Sequence, residues 1–216
     1  MPLTLCLSSI SKQYNGKYAL KDCSFPFDGG GVFAIMGPNG SGKSTLLRIC
    51  ALIEPPDKGE VIYVSGGRIL RHDLSLKRKI ALVPPDAGVF DATVFMNVAY
   101  GLKMRRVGRI AIDDRVQMAL VTAGLADKRM AHANTLSRGE VQRLVIARAI
   151  AVDPVILFLD EPTATLDEEN TRRVEDIIMS IQSEGQMTVI FTTHDREQAE
   201  RMTDNIIPLH DGHMRD

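Results

Sequence analysis

The sequence predicts an α/β fold: a mainly parallel sheet with helices around it, an antiparallel β part and an inserted helical lobe. Three observations carry this. Short apolar runs of strand length alternate with segments of helical periodicity. A helix-rich span interrupts that alternation between IALVP and VILFL. The first thirty residues hold β-like runs and a GGG turn rather than a helix.

Taken in order, LTLCLSSI and ALKDCSFPF, the latter ending at the turn Gly29 to Gly31, read as antiparallel strands flanking the first parallel strand, VFAIM. A helix is expected from Lys43 to Ile53, and IALVP supplies the next strand. Thr93 to Met104, Ile112 to Ala123 and Arg138 to Val152 then read as three separate helices. VILFL, a helix from Glu168 to Ser183, MTVIF and NIIPL restore the alternation. The expected organisation is one domain over 1–216, with a core from 1–85 and 153–216 and a helical lobe over 86–152. No internal repeat or Gly/Ser linker separates the two parts.

Composition narrows the function classes. The 216 residues are 44% hydrophobic, enough for one sizeable core, and 26 Lys plus Arg against 27 Asp plus Glu leave a net charge of -1. That balance offers no general attraction to nucleic acid or to an anionic membrane. Cys6, Cys23 and Cys50 are odd in number and have no histidines at metal-ligand spacing, so a reducing cytosol fits better than a disulfide or zinc framework. The N-terminus lacks a signal-peptide pattern, and no apolar run is long enough to cross a membrane.

The chemistry begins at GPNGSGKST, which matches G-x-x-x-x-G-K-[ST] between a strand and a helix-prone segment. Glycines at Gly37, Gly40 and Gly42 allow the backbone N–H groups of a loop that also holds Pro38, Asn39 and Ser41 to curl around a polyphosphate. Lys43 supplies a charge to the β and γ phosphates, Ser44 a hydroxyl for Mg²⁺, and the helix start through Thr45 its dipole. Such a loop serves kinases, GTPases and motor ATPases alike. VILFLDEP chooses among them, because a buried strand delivers Asp160 and Glu161 at its C-terminal end, where open α/β sheets bind ligands. Asp160 is then a ligand of Mg²⁺ through water, and Glu161 the base or polariser of a water that attacks the γ phosphate. ATP hydrolysis follows more readily than phosphoryl transfer to a second substrate.

LSRGEVQRLVIARAIAVDP, from Leu136 to Pro154, resembles the signature segment of the ATP-binding-cassette ATPases, and the resemblance extends over nearly the whole chain. It implies the P-loop fold of that family. Tyr14 in SKQYNGKYAL resembles the family's adenine-stacking aromatic, Asp167 in TATLD its D-loop aspartate and His194 in TTHD its switch histidine, which would bond the γ phosphate and hold the water. The signature places Ser137, Arg138, Gly139 and Glu140 at a second anion-seeking helix start. In the family the two ends meet head to tail across a dimer, so the resemblance implies pairing with a second copy or a similar partner.

Two positions depart from the family pattern. Pro85 stands where a glutamine usually touches Mg²⁺, and Asp86, one residue on, is the candidate replacement oxygen. Arg138 stands where the signature usually has a glycine. DATVFMNVAYGLKMRR, Asp91 to Arg106, resembles the stretch that meets the membrane subunit in importer-type cassettes. On composition it is an amphipathic core helix, with Arg105, Arg106 and Arg109 either a solvated basic face or a set of cations near lipid headgroups, the former favoured. The short stretch after NIIPL leaves no room for a C-terminal regulatory domain, which with NVAYGLKMRR makes the chain resemble the short cassettes of tungstate and molybdate importers. The expected protein is thus a peripheral ATPase on the cytoplasmic face of the membrane. Its partners would be a transmembrane permease and, through it, a solute-binding protein. Two rivals are the same engine serving an exporter, a lipid or lipoprotein extractor or a division complex, and a soluble cassette of DNA repair or translation.

Overall fold

The computed structural model describes residues 3–184 and 187–214. Its strands are β1 (Leu3–Tyr14), β2 (Lys17–Phe27), β3 (Gly31–Met36), β4 (Lys58–Ser65), β5 (Arg68–Ile69), β6 (Ile80–Val83), β7 (Ile156–Leu159), β8 (Thr188–Thr193), β9 (Ile206–His210) and β10 (His213–Met214). The helices are α1 (Lys43–Cys50), α2 (Leu74–Lys77), α3 (Val94–Met104), α4 (Arg109–Thr122), α5 (Arg138–Ile150), α6 (Glu168–Glu184) and α7 (Arg196–Met202).

The central sheet has the order β10-β9-β3-β8-β7-β6 and is parallel except for the β9–β10 pair. Alternation along its strands assigns the two faces. Val32, Ala34, Leu157, Leu159, Val189 and Phe191 point into one core with α3, α4, α5 and α6. Phe33, Ile35, Ile156, Phe158 and Ile190 point into the other, with α1 and the antiparallel sheet. That second sheet, β2-β1-β4-β5, corrects one expectation. β1 and β2 are antiparallel, but they do not flank β3, whose neighbours are β8 and β9. β2 lies at the edge of this sheet, and β1 pairs on its other side with β4, whose Val61 and Tyr63 face inward.

Helix ends follow local chemistry. α1 stops at Cys50 rather than Ile53, because Leu52 takes a left-handed φ of 57° and Pro55 and Pro56 follow. α4 starts three residues earlier than expected. Its buried stripe begins at Ile112, but Gly108 is the N-cap of an exposed first turn, Arg109 to Ala111. Thr93 caps α3, and Ser137 caps α5 in a reciprocal capping box with Glu140. Arg105 corrects the expected basic face: it donates to the Val152 carbonyl at 2.8 Å, tying α3 to the end of α5.

Candidate functional site

The glycine loop is shaped by close backbone packing. A Cβ on Gly37 would lie 2.0 Å from the Leu209 carbonyl oxygen, and one on Gly42 would lie 2.3 Å from that of Ala19. Gly42 also holds φ at 104°, a region that side chains oppose. Both glycines are therefore required by the fold as well as by any ligand. Pro38, Asn39 and Gly40 form the exposed tip, while Ser41, Lys43 and Thr45 are buried and Ser44 is half-buried. The Ser41 hydroxyl is buried without a hydrogen-bond partner. Lys43 Nζ donates to the carbonyls of Gly37 at 2.7 Å and Pro38 at 3.2 Å.

The same ammonium lies 3.0 Å from Glu161 Oε1 as an ion pair, without the alignment of a hydrogen bond. Asp160 follows β7 directly, and Glu161 comes next at a left-handed φ of 49°. Such a conformation costs roughly 1–2 kcal/mol for a residue with a Cβ. It is held by the Glu161 N–H, which donates to Thr192 Oγ1 at 2.8 Å. The Thr192 hydroxyl in turn donates to Asp160 Oδ1 at 2.8 Å. Thr192 is fully buried in β8, and Asp160 is nearly so. His194, two residues beyond Thr192, places Nδ1 3.0 Å from Glu161 Oε2. The edge formed by the ends of β3, β7 and β8 thus joins Lys43, Asp160, Glu161 and His194 as expected. Thr192, which sequence reasoning did not single out, is their common brace.

A second brace was also missed. Gln198 accepts from the hydroxyls of Thr193 and Thr163 and donates to Glu175, to which Arg201 also donates. This network ties the residues beside His194 and Glu161 to α6 and α7. Its sequence signal is confined to Glu175 and Gln198, polar residues at positions on α6 and α7 that helical periodicity buries.

The signature forms a separate cluster. A Cβ on Gly139 would lie 2.2 Å from Asn170 Oδ1, and Asn170 bonds the Asp167 carboxylate through both its backbone and its side chain. Those amides hold the Asp167 carboxyl below its ordinary range. The hydrogen bond from Lys128, with the Ser137 amide second, does the same for Glu140. Arg138 is exposed and makes no ion pair among the described residues. The structure brings Ser137–Glu140 together with Asp167, but no hydrogen bond or ion pair among the described residues joins this cluster to the Lys43 loop.

Tyr14 sits at a third point, half-exposed, and its hydroxyl donates to Glu54. Asp86 is exposed in the turn after β6. That strand pairs with β7 at Val83–Leu159, next to Asp160. Among the described residues, no group of three or more His, Cys, Asp or Glu is arranged to hold a metal, and no helix is long and apolar enough to cross a membrane.

A glycine loop closing on a buried lysine, facing carboxylates at the C-terminal edge of a parallel sheet, suits the phosphates of a nucleotide and their hydrolysis. The class the fold and site define is an α/β nucleotide hydrolase. The ABC transporter family model matches residues 20–164, and the chain belongs to that family. It is similar to phosphate import ATP-binding protein PstB 2 of Natronomonas pharaonis, with 39% identity over 97% of this chain and 78% of that one. It is also similar to the tungstate uptake system ATP-binding protein TupC of Peptoclostridium acidaminophilum, with 36% identity over 98% and 97%. Among solved structures, the dimeric cassette MJ0796 bound to ADP and Pi matches with a TM-score of 0.85 and 30% identity over 98% and 97% of the two chains. The chain is an ABC ATPase, the ATP-binding and ATP-hydrolysing subunit of a transporter.

Proposed function

We propose that this ATPase powers an importer of a small solute, an oxyanion of the tungstate, molybdate or phosphate kind, and that two copies act head to tail. The observation that carries the pairing is the division of the site. Lys43, Asp160, Glu161 and His194 form one cluster, while Ser137–Glu140 and Asp167 form another with no hydrogen bond or ion pair to the first among the described residues. A nucleotide held by Gly37–Thr45 of one copy would be closed over by Ser137, Arg138, Gly139, Glu140 and Asp167 of the second. Similarity to proteins named for phosphate import and tungstate uptake supports the direction and the solute class.

Within each site, phosphates entering the loop compete with Glu161 for Lys43. The ammonium transfers to the phosphates, and the Glu161 carboxylate is released to accept a proton from the attacking water. His194, already against Glu161 Oε2, holds that water and the γ phosphate in line. Ser44 and Asp160 fit Mg²⁺. Both are hard oxygen donors, and Thr192 engages only Oδ1 of Asp160. Asp86 is a candidate for a third oxygen. Mg²⁺, when bound, neutralises phosphate charge.

We assign 86–152 as a lobe that faces a transmembrane permease at the cytoplasmic side of the membrane, with a solute-binding protein further out. Met96, Tyr100 and Met104 are exposed at helical spacing on α3. Phe90 packs on Tyr100, and Arg148 stacks over Phe90 at 5.0 Å. Such a stripe suits an apolar helix of the partner. Affinity purification of the tagged chain from detergent-solubilised membranes tests the assignment. A polytopic membrane protein encoded with a capture protein is expected. Recovery of only soluble partners would overturn it.

A further inference from the structure

Glu54, Lys12 and Arg48 surround Tyr14 in a way that no glycine-loop chemistry explains. The Tyr14 hydroxyl donates to Glu54 Oε1 at 2.5 Å and accepts from Arg48 Nη2 at 3.5 Å. Arg48 Nε donates to Glu54 Oε2 at 3.2 Å, closing a three-membered ring of contacts. Lys12 Nζ lies 3.4 Å from Glu54 Oε1 and 5.8 Å from the centroid of the Tyr14 ring. Lys12 is itself pinned by the Pro55 carbonyl at 2.9 Å and by Asp57 Oδ1 at 3.1 Å, and Asp57 also accepts the Gln13 N–H. The side chains of Lys12 and Glu54 are only 12% and 22% exposed, whereas Tyr14 is 40% exposed. Arg48 also donates to Thr45 Oγ1 at 3.2 Å, so the ring of contacts reaches the first turn of the phosphate helix.

We propose that Glu54, with Lys12 and Arg48, is a positioning clasp that presents Tyr14 edge-fixed, with an ammonium near the ring, to a nucleobase. The clasp rests on the reading of Tyr14 as the base-stacking aromatic and adds what sets its geometry. An unclasped tyrosine on an exposed strand end samples several rotamers and loses that freedom on stacking; a clasped one has already lost it. Arg48 makes the position of the base depend on the same helix turn that meets the phosphates. The Tyr14 hydrogen bond, followed by those of Arg48 and Lys12, holds the Glu54 carboxyl below its ordinary range.

The test compares ATP with tripolyphosphate, which has the phosphates but no base, by calorimetry in the presence of Mg²⁺. In Glu54→Gln, ATP affinity is expected to fall about 3- to 10-fold, the range of one aromatic contact. Tripolyphosphate affinity should stay the same, and KM should rise without loss of kcat. Lys12→Gln should act in the same direction. In the Tyr14→Ala background, Glu54→Gln should add no further loss. If Tyr14→Ala weakens ATP but Glu54→Gln does not, the clasp is wrong while the stacking assignment stands. If Tyr14→Ala leaves ATP affinity intact, the stacking assignment fails and takes the clasp with it. Equal weakening of ATP and tripolyphosphate in Glu54→Gln marks a structural role and also overturns the clasp.

Discussion

Thr192→Val removes one oxygen, nearly without change of shape, from the residue that braces both carboxylates. Thr192 is fully buried, and its hydroxyl accepts the Glu161 N–H and donates to Asp160 Oδ1, each at 2.8 Å. A buried amide left without a partner costs about 1–3 kcal/mol, and a lost bond to a charged carboxylate about 1.5–3 kcal/mol. The added methyl returns about 0.8 kcal/mol, leaving a net loss of about 2–5 kcal/mol. For a chain of this length that lowers Tm by roughly 4–20 °C. Turnover should fall about 10- to 100-fold, as when a supporting partner of a site is removed, because Glu161 then loses the bond that holds its left-handed backbone. Thermal denaturation and an ATPase assay read the two effects. Thr192→Ser keeps the oxygen and should recover most of both. A Tm within 2 °C of the parent for Thr192→Val, or equal losses in the Ser and Val variants, would refute the bracing argument.

The Glu140 carboxyl is depressed chiefly by Lys128, so its stabilising effect is present above the unfolded carboxylate range and is lost as pH falls through the lower folded value. Glu140→Gln should therefore cost about 0.5–1 kcal/mol near pH 7, and the difference in Tm should shrink steadily on acidification in a pH-resolved melt. Asp86→Ala should raise the Mg²⁺ concentration needed for half-maximal hydrolysis while leaving nucleotide affinity without metal unchanged; an unaltered magnesium dependence removes Asp86 from the metal site.

Features set by local spacing were legible in the sequence. The glycine loop, the Asp160–Glu161 strand end and the helix start at Ser137 each depend on residues a few positions apart. The structure places them where spacing and burial predict. Strand existence was legible from apolar runs, but β4 was passed over: it opens with exposed Lys58, Gly59 and Glu60, and only Val61 and Tyr63 are buried. Short capped helices such as α2 and α7 left too little periodicity to read. Sheet membership of β1 and β2 was not legible either, since pairing with β4 is decided by contacts far along the chain. The same holds for the residues that support the site. Thr192 meets Glu161 31 positions away, and Glu54 meets Tyr14 across 40, so no motif announces them. Arg105 read as surface charge because its carbonyl partner, Val152, lies 47 positions on.

The central claim is that Glu161, released from Lys43 when phosphates enter, activates the water that attacks ATP. The direct measurement is the rate of phosphate release at saturating ATP for Glu161→Gln beside the parent, with ATP affinity measured on the same samples. The account predicts turnover reduced by about 100-fold or more, the scale of removing a general base, with ATP bound at least as tightly because Lys43 no longer has a competing carboxylate. Turnover close to that of the parent, with ATP still bound, would contradict it.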